Sequence, residues 1–178
     1  MALATQTAPQ TLVTTYLEMT NPSQFKPAYN RTAGVVIRKM EHPDVDFYRF
    51  LYRAVGEQWA WRDRLAMSHD ELYRELNKPT THVHVMYVSG TPAGYIELSQ
   101  QARSTEVAYF GLREAFFGRG LGKHLLSFGI EQAWKLGTER IWLHTCNLDG
   151  PHALNNYRKR GFQVYMRHQE PMPELYAS

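Results

Sequence analysis

The sequence predicts a mixed α/β domain on a mostly antiparallel sheet, and three observations predict it. Apolar residues recur at three- and four-residue steps over 45–55, and the period changes to two over 81–112. Turn residues divide that second stretch into three successive runs, which read as a meander. After residue 118, helical and strand-like stretches alternate. The order is therefore two helices, three hairpin-linked strands, then helix, strand, helix, strand.

Each element has a local reason. Thr11–Met19 (TLVTTYLEM) is rich in β-branched residues and reads as an extra strand, whereas 21–30 carries two prolines and reads as irregular. Val35, Val36 and Ile37 begin a short strand, closed by Pro43. In the helix over 43–55, Val45, Phe47, Tyr48, Leu51, Tyr52 and Val55 recur at three- and four-residue steps, and Gly56 ends it. A Trp-rich passage over 58–64 leads to a second helix, with Ser68 and Glu71 spaced as a capping box. Strands follow at 81–88, 93–100 and 105–112. A long helix runs from the glycine turn at 118–122 to about Lys135 and ends at Gly137. Arg140–Thr145 is a strand, 151–160 a short helix stopped by Gly161, and 162–168 a last strand.

Length and composition set bounds. The chain of 178 residues is 43% hydrophobic and 13% aromatic, which suits one core, since single cores usually run to about 100–200 residues. No apolar run approaches the roughly 20 residues that span a bilayer. Cys146 is the lone cysteine, which excludes an internal disulfide and a Cys-rich zinc site, and no metal site is expected. The charge of +3 is small and scattered. It implies neither a nucleic-acid nor a membrane partner, and at most an anionic small ligand. Residues 1–10 lack both a basic start and an apolar stretch, so a cytoplasmic address is the expectation.

The segment Gly118-Arg-Gly-Leu-Gly-Lys123 stands between a strand and a helix. Free N–H groups at a helix start attract phosphate oxygens, and glycine lets a ligand approach the backbone. On the residues alone, a plain helix start and a phosphate cradle both stay open. A P-loop is excluded because His124 follows Gly122-Lys123, and the dinucleotide fingerprint because Lys123 replaces its third glycine.

The stretch VAYFGLREAFFGRGLGKHLL, then WLHT, then Tyr157-Arg-Lys-Arg-Gly161-Phe162, resembles the GCN5-related N-acetyltransferases (GNAT). The resemblance covers about residues 34–170 in element order. It implies an N-terminal extension over 1–33, an acetyltransferase domain over 34–170 and a tail over 171–178. It also implies a sheet splayed between 105–112 and 140–145, the fourth and fifth strands counted from Val35. Acetyl-CoA is the implied co-substrate. Its pyrophosphate would sit on Phe117, Gly118, Arg119, Gly120, Leu121, Gly122 and Lys123, and its pantetheine arm along Phe110, Gly111 and Leu112. The Leu112 N–H could polarise the thioester carbonyl. Two positions depart from the family pattern: Phe117 where Gln or Arg is usual, and Gly150 where many members carry Asn.

The resemblance further implies Tyr157 as the acid that protonates the leaving thiolate; the plainer alternative is an aromatic packing the last helix. Glu106 lies fourteen residues before Gly120, the spacing of a catalytic glutamate in some members. A solvated strand-start residue is its alternative. Glu97 sits within an apolar strand, where a carboxylate is costly unless paired. It either meets an arginine or lines the cleft as a second candidate base, and the cleft is the expectation. His144 could relay protons or be a satisfied sheet histidine. Trp59, Trp61, Arg62 and Arg64 fall where the family builds its acceptor pocket, with Tyr16 and Glu18 as weaker candidates. An acyl-Cys146 route is disfavoured against direct attack in a ternary complex. The expected activity is acetyl transfer to a primary amine of a small molecule or an amino terminus. Its alternatives are a protein-lysine or N-terminal acetyltransferase and a non-catalytic acyl-CoA sensor. Assembly as a homodimer stays open.

Overall fold

The computed structural model describes residues 9–177; the reading of residues 1–8 as leader-free lies outside them. Seven strands form one sheet: β1 (Thr11–Met19), β2 (Val35–Lys39), β3 (Thr81–Val88), β4 (Thr91–Gln100), β5 (Ser104–Leu112), β6 (Arg140–Cys146) and β7 (Gln163–Pro171). Their order is β2-β3-β4-β5-β6-β1-β7. All pairings are antiparallel except β5 with β6. The expected meander is β3-β4-β5. Its first turn is tighter than the sequence suggests: Ser89 and Gly90 both have positive φ, so two residues close the hairpin and β4 starts at Thr91.

The N-terminal segment is more than an extension. β1 fills the place between β6 and β7, with Leu17 and Met19 fully buried. β7 runs three residues beyond the expected His168, because β1 offers it partners as far as Thr11 opposite Pro171.

Among the described residues six α-helices flank the sheet: α1 (Val45–Gly56), α2 (Asp63–Ala66), α3 (His69–Leu76), α4 (Leu121–Lys135), α5 (Ala153–Lys159) and α6 (Glu174–Ala177). α1 starts two residues later than expected, since the Asp44 carboxylate accepts from the Phe47 N–H at 2.6 Å and caps it there. The predicted capping box of α3 forms as Ser68 with Glu71.

The strand alternation of β4 separates two cores. Ile96 and Leu98 face α4, packing with Leu125, Leu126 and Ile130. Tyr95 faces α1 and α3, packing with Tyr48, Leu51, Tyr52 and Leu72. Glu97 shares the Tyr95 face, which decides its fate below. No helix among the described residues is long and apolar enough to cross a membrane.

Candidate active site

The site begins where two strands part. β5 pairs with β6 only over Ser104–Glu106 against Arg140–Trp142. A register shift against β4 then leaves Ala108 unpaired between Val107 and Tyr109, and a bulge of this kind bends its strand. From Val107 onward the β6-facing edge of β5 is open. The Arg113 N–H donates to Ala93 on β4, so alternation turns the Leu112 and Phe110 N–H groups the other way, onto that open edge.

The edge leads to the glycine turn. Gly118 (φ +75) and Gly120 (φ +69) occupy the left-handed region, which costs an L-residue with a side chain about 1–2 kcal/mol. Among the described residues no side chain caps α4, and no acidic residue lies in its first turn. The N-terminal N–H groups of a fifteen-residue helix are therefore left to a ligand. Lys123 folds back over this turn: its Cε lies 3.2 Å from where a Gly120 Cβ would stand. The Arg119 guanidinium instead lies over the Phe116 ring, 5.4 Å from its centroid. Asn30, which the sequence gave no reason to single out, donates through Nδ2 to the Arg119 carbonyl at 2.8 Å and props the turn from outside. The residues present thus fit a diphosphate with an extended arm.

One cavity of about 900 Å³ takes in this turn, the split and a region beyond them, the second chamber, which shares its lining. Phe110, Leu112, Phe117, Gly118, Gly120 and Gly122 line it on the side of the turn, and Tyr157 lines it as well. Tyr157 is only 8% exposed and has ring contacts with Phe110 and Phe162. Its hydroxyl has no hydrogen-bond partner among the described residues. Burial, with the Asp149 charge adding to it, pushes that phenol's pKa well up and keeps it protonated.

The second chamber is walled by Tyr16, Trp59, Trp61, Asp63, His144 and Asp149. Trp59 packs against Gly150, where a Cβ would meet its ring at 3.2 Å. This gives the Gly150 departure a physical reason, because the indole occupies the room a side chain would need. The Trp61 indole N–H donates to Asp149 at 3.3 Å, and Asp149 also accepts from the Thr145 hydroxyl at 2.6 Å and the Cys146 N–H at 2.9 Å. His144 faces the chamber, and behind it Glu106 Oε1 lies 3.4 Å from His144 Nδ1. The hydrogen bond and charge of Glu106 outweigh burial and raise the imidazole's pKa above its usual 6.5. Glu106 is not part of the cavity wall; it reaches the site through His144.

Three sequence expectations are corrected. Glu97 does not line the cleft: it is fully buried beneath α1, where Tyr48 donates its hydroxyl and Arg64 its guanidinium to the carboxylate. Arg64 is accordingly no acceptor-pocket residue. It is spent on Glu97, reaches Glu75 at 3.9 Å, and lies over the Tyr109 ring. Glu18 pairs with Arg140 at 2.6 Å, away from the cavity, whereas Tyr16 does face it. The supposed tail also contributes: Pro173, Leu175 and Tyr176 cover the second chamber, and the Tyr176 hydroxyl donates to Asp63 Oδ1 at 2.9 Å. That contact spans 113 residues and has no local signature.

A mixed sheet opened beside an uncapped, glycine-led helix defines an α/β protein with a cavity at the opening of its sheet. A model of the acetyltransferase (GNAT) family matches residues 46–162, and the chain belongs to that family. An uncharacterized N-acetyltransferase of Bacillus subtilis strain 168, YvbK, is 33% identical over 70 residues, 39% of this chain and 44% of that one. The chain thus matches less than half the length of that curated relative. A GCN5-related N-acetyltransferase of Sphaerobacter thermophilus superposes with a TM-score of 0.67 at 18% identity, covering 92% of this chain and 52% of the other. A Bacillus subtilis acetyltransferase solved with CoA gives a TM-score of 0.57 at 23% identity, covering 74% and 78%.

Proposed function

We propose that this protein transfers an acetyl group from acetyl-CoA to a primary amine by direct attack within a ternary complex. The observation that carries this reading is the continuous cavity from the uncapped α4 N-terminus, along the open β5 edge, to Tyr157 and a separate chamber. Residues 34–170 together with β1 form the unit responsible. Bound acetyl-CoA would supply the acyl carbon as a thioester. The glycine turn and Lys123 would hold its diphosphate, and the Phe110 and Leu112 backbone would hold its arm. The Leu112 N–H is placed to donate to the carbonyl oxygen as charge builds there.

Proton movement divides between two groups. His144, oriented by Glu106, accepts the proton that the amine must lose. Tyr157 gives its proton to the sulfur as the C–S bond breaks and the C–N bond forms. The products are the acetamide and free CoA. This arrangement makes Glu106 a positioning residue and removes Glu97 from the chemistry. The unpartnered Tyr157 hydroxyl and the His144–Glu106 pair favour an enzyme over a passive acyl-CoA sensor. The covered chamber favours a small acceptor over a protein lysine.

The test is calorimetry with CoA and acetyl-CoA, followed by thiol release across a panel of amines. Binding with turnover of at least one small amine is expected. Binding without turnover of any acceptor would reduce the protein to a sensor, and no binding would remove the reading altogether.

A further inference from the structure

The second chamber carries a charge pattern that says more about its occupant. We infer that the acceptor bears a second cationic group besides the amine that reacts, and no anionic group, with Asp63 and Asp149 as the seat of that cation. The inference rests on the acetyl-transfer reading and deepens it.

Asp63, Asp149 and Glu170 all line the cavity, and no lysine or arginine among the described residues does. The partners of the two aspartates are neutral. Asp149 accepts from an indole, a hydroxyl and a backbone amide, and Asp63 from the Tyr176 phenol alone among the described residues. Arg64, adjacent to Asp63 in sequence, would be the natural counter-ion, but its guanidinium is turned inward to Glu97. Neither aspartate therefore has a lysine or arginine partner in the cavity, and the basic group beside them is His144. Both act on His144, whose imidazole they help to hold toward its protonated form. That the space is built for a ligand has independent support: Tyr157, 8% exposed and with no hydrogen-bond partner for its hydroxyl among the described residues, lines the same cavity.

The rest of the wall agrees. Trp59, Trp61, Tyr109 and Tyr176 present aromatic surface, which attracts an ammonium through the ring quadrupole and accepts an apolar spacer. An acceptor with a carboxylate or phosphate would meet these aspartates with no lysine or arginine to answer it, and like charges brought together repel. A diamine satisfies both demands. One nitrogen stays protonated against Asp63 and Asp149 while the other loses its proton to His144.

The experiment uses the full chain and matched acceptors: n-butylamine against 1,4-diaminobutane, benzylamine against 1,4-bis(aminomethyl)benzene, and β-alanine as the carboxylate-bearing case. Thiol release at fixed acetyl-CoA and pH should give each diamine a kcat/KM at least about tenfold above its monoamine, a preference equivalent to about 1.4 kcal/mol. β-Alanine should be the poorest acceptor. Asp63→Asn, at an exposed position, should shrink the diamine preference to within about threefold, mainly through KM. A wild-type ratio near the statistical factor of two would overturn the inference, as would β-alanine outperforming the diamines or a preference untouched by Asp63→Asn. A second readout separates this from failure of acetyl transfer: quenching of Trp59 and Trp61 fluorescence in cofactor-free protein. Quenching by 1,4-diaminobutane but not n-butylamine, lost in Asp63→Asn, supports the dication even where no acceptor turns over. Equal quenching by both amines refutes it.

Discussion

Replacing Glu97 by Gln distinguishes a buried structural ion pair from a catalytic carboxylate. Glu97 is fully buried and Arg64 13% exposed, so the substitution leaves a guanidinium in low-dielectric surroundings without its main counter-ion. Breaking a buried pair from one side costs about 3–5 kcal/mol. The Gln amide still accepts from Tyr48 or Arg64, and Glu75 lies 3.9 Å from Arg64, so the lower end of that range is expected. For a chain of 178 residues the unfolding entropy is about 0.37 kcal/mol per kelvin, from about 2.1 cal/mol/K per residue. A loss of about 3 kcal/mol then lowers Tm by about 8 °C. Replacing both Glu97 and Arg64 by Met should recover most of it, since removing both charges avoids the stranded one. Thermal and urea melts of the two single variants and the double variant measure this, with kcat determined well below the melting range. A Glu97→Gln protein that melts like the wild type yet loses 100-fold in kcat would refute the structural pair and return the carboxylate to the chemistry.

Other perturbations probe the remaining parts. Tyr157→Phe should lower kcat by about 10²-fold, within the usual worth of a positioned acid, and leave the KM for acetyl-CoA nearly unchanged; a loss under threefold would exclude the phenol as proton donor. The rate should rise with pH through the His144 pKa, which lies above 6.5, because only the neutral imidazole accepts a proton. Glu106 stabilises the imidazolium, so Glu106→Gln should lower that pKa and move the rising limb of kcat/KM to lower pH. An unmoved limb would break the link between the two residues. Gly120→Ala places a side chain at φ +69 and against Lys123; with about 1–2 kcal/mol of strain to absorb, the Kd for CoA by calorimetry should rise about tenfold.

Local chemistry made much of this protein legible. Ser68 and Glu71 announce the start of α3, Gly137 the end of α4, and the alternation over 81–112 the meander. These signals act between residues a few positions apart, and so survive without knowledge of the fold. The glycine turn and Tyr157 were equally visible, because left-handed backbone and a motif-spaced aromatic leave marks in the residues themselves. Glu97 shows where such reading stops. Alternation correctly put it on the Tyr95 face, but whether that face opens to a cleft or lies under a helix depends on α1 and on Arg64, 33 residues away.

By itself the sequence determined the element order, the opened sheet implied by the family likeness, and the glycine turn that starts α4, all written in backbone preference and short-range periodicity. Only the tertiary structure decided which charges meet. It brought Glu106 behind His144, buried Glu97 with Arg64, seated β1 between β6 and β7, and laid Tyr176 across to Asp63. The physical reason is range. Propensity and capping are settled within a turn or two of chain, whereas desolvation and Coulomb pairing depend on whatever the fold places within a few ångströms.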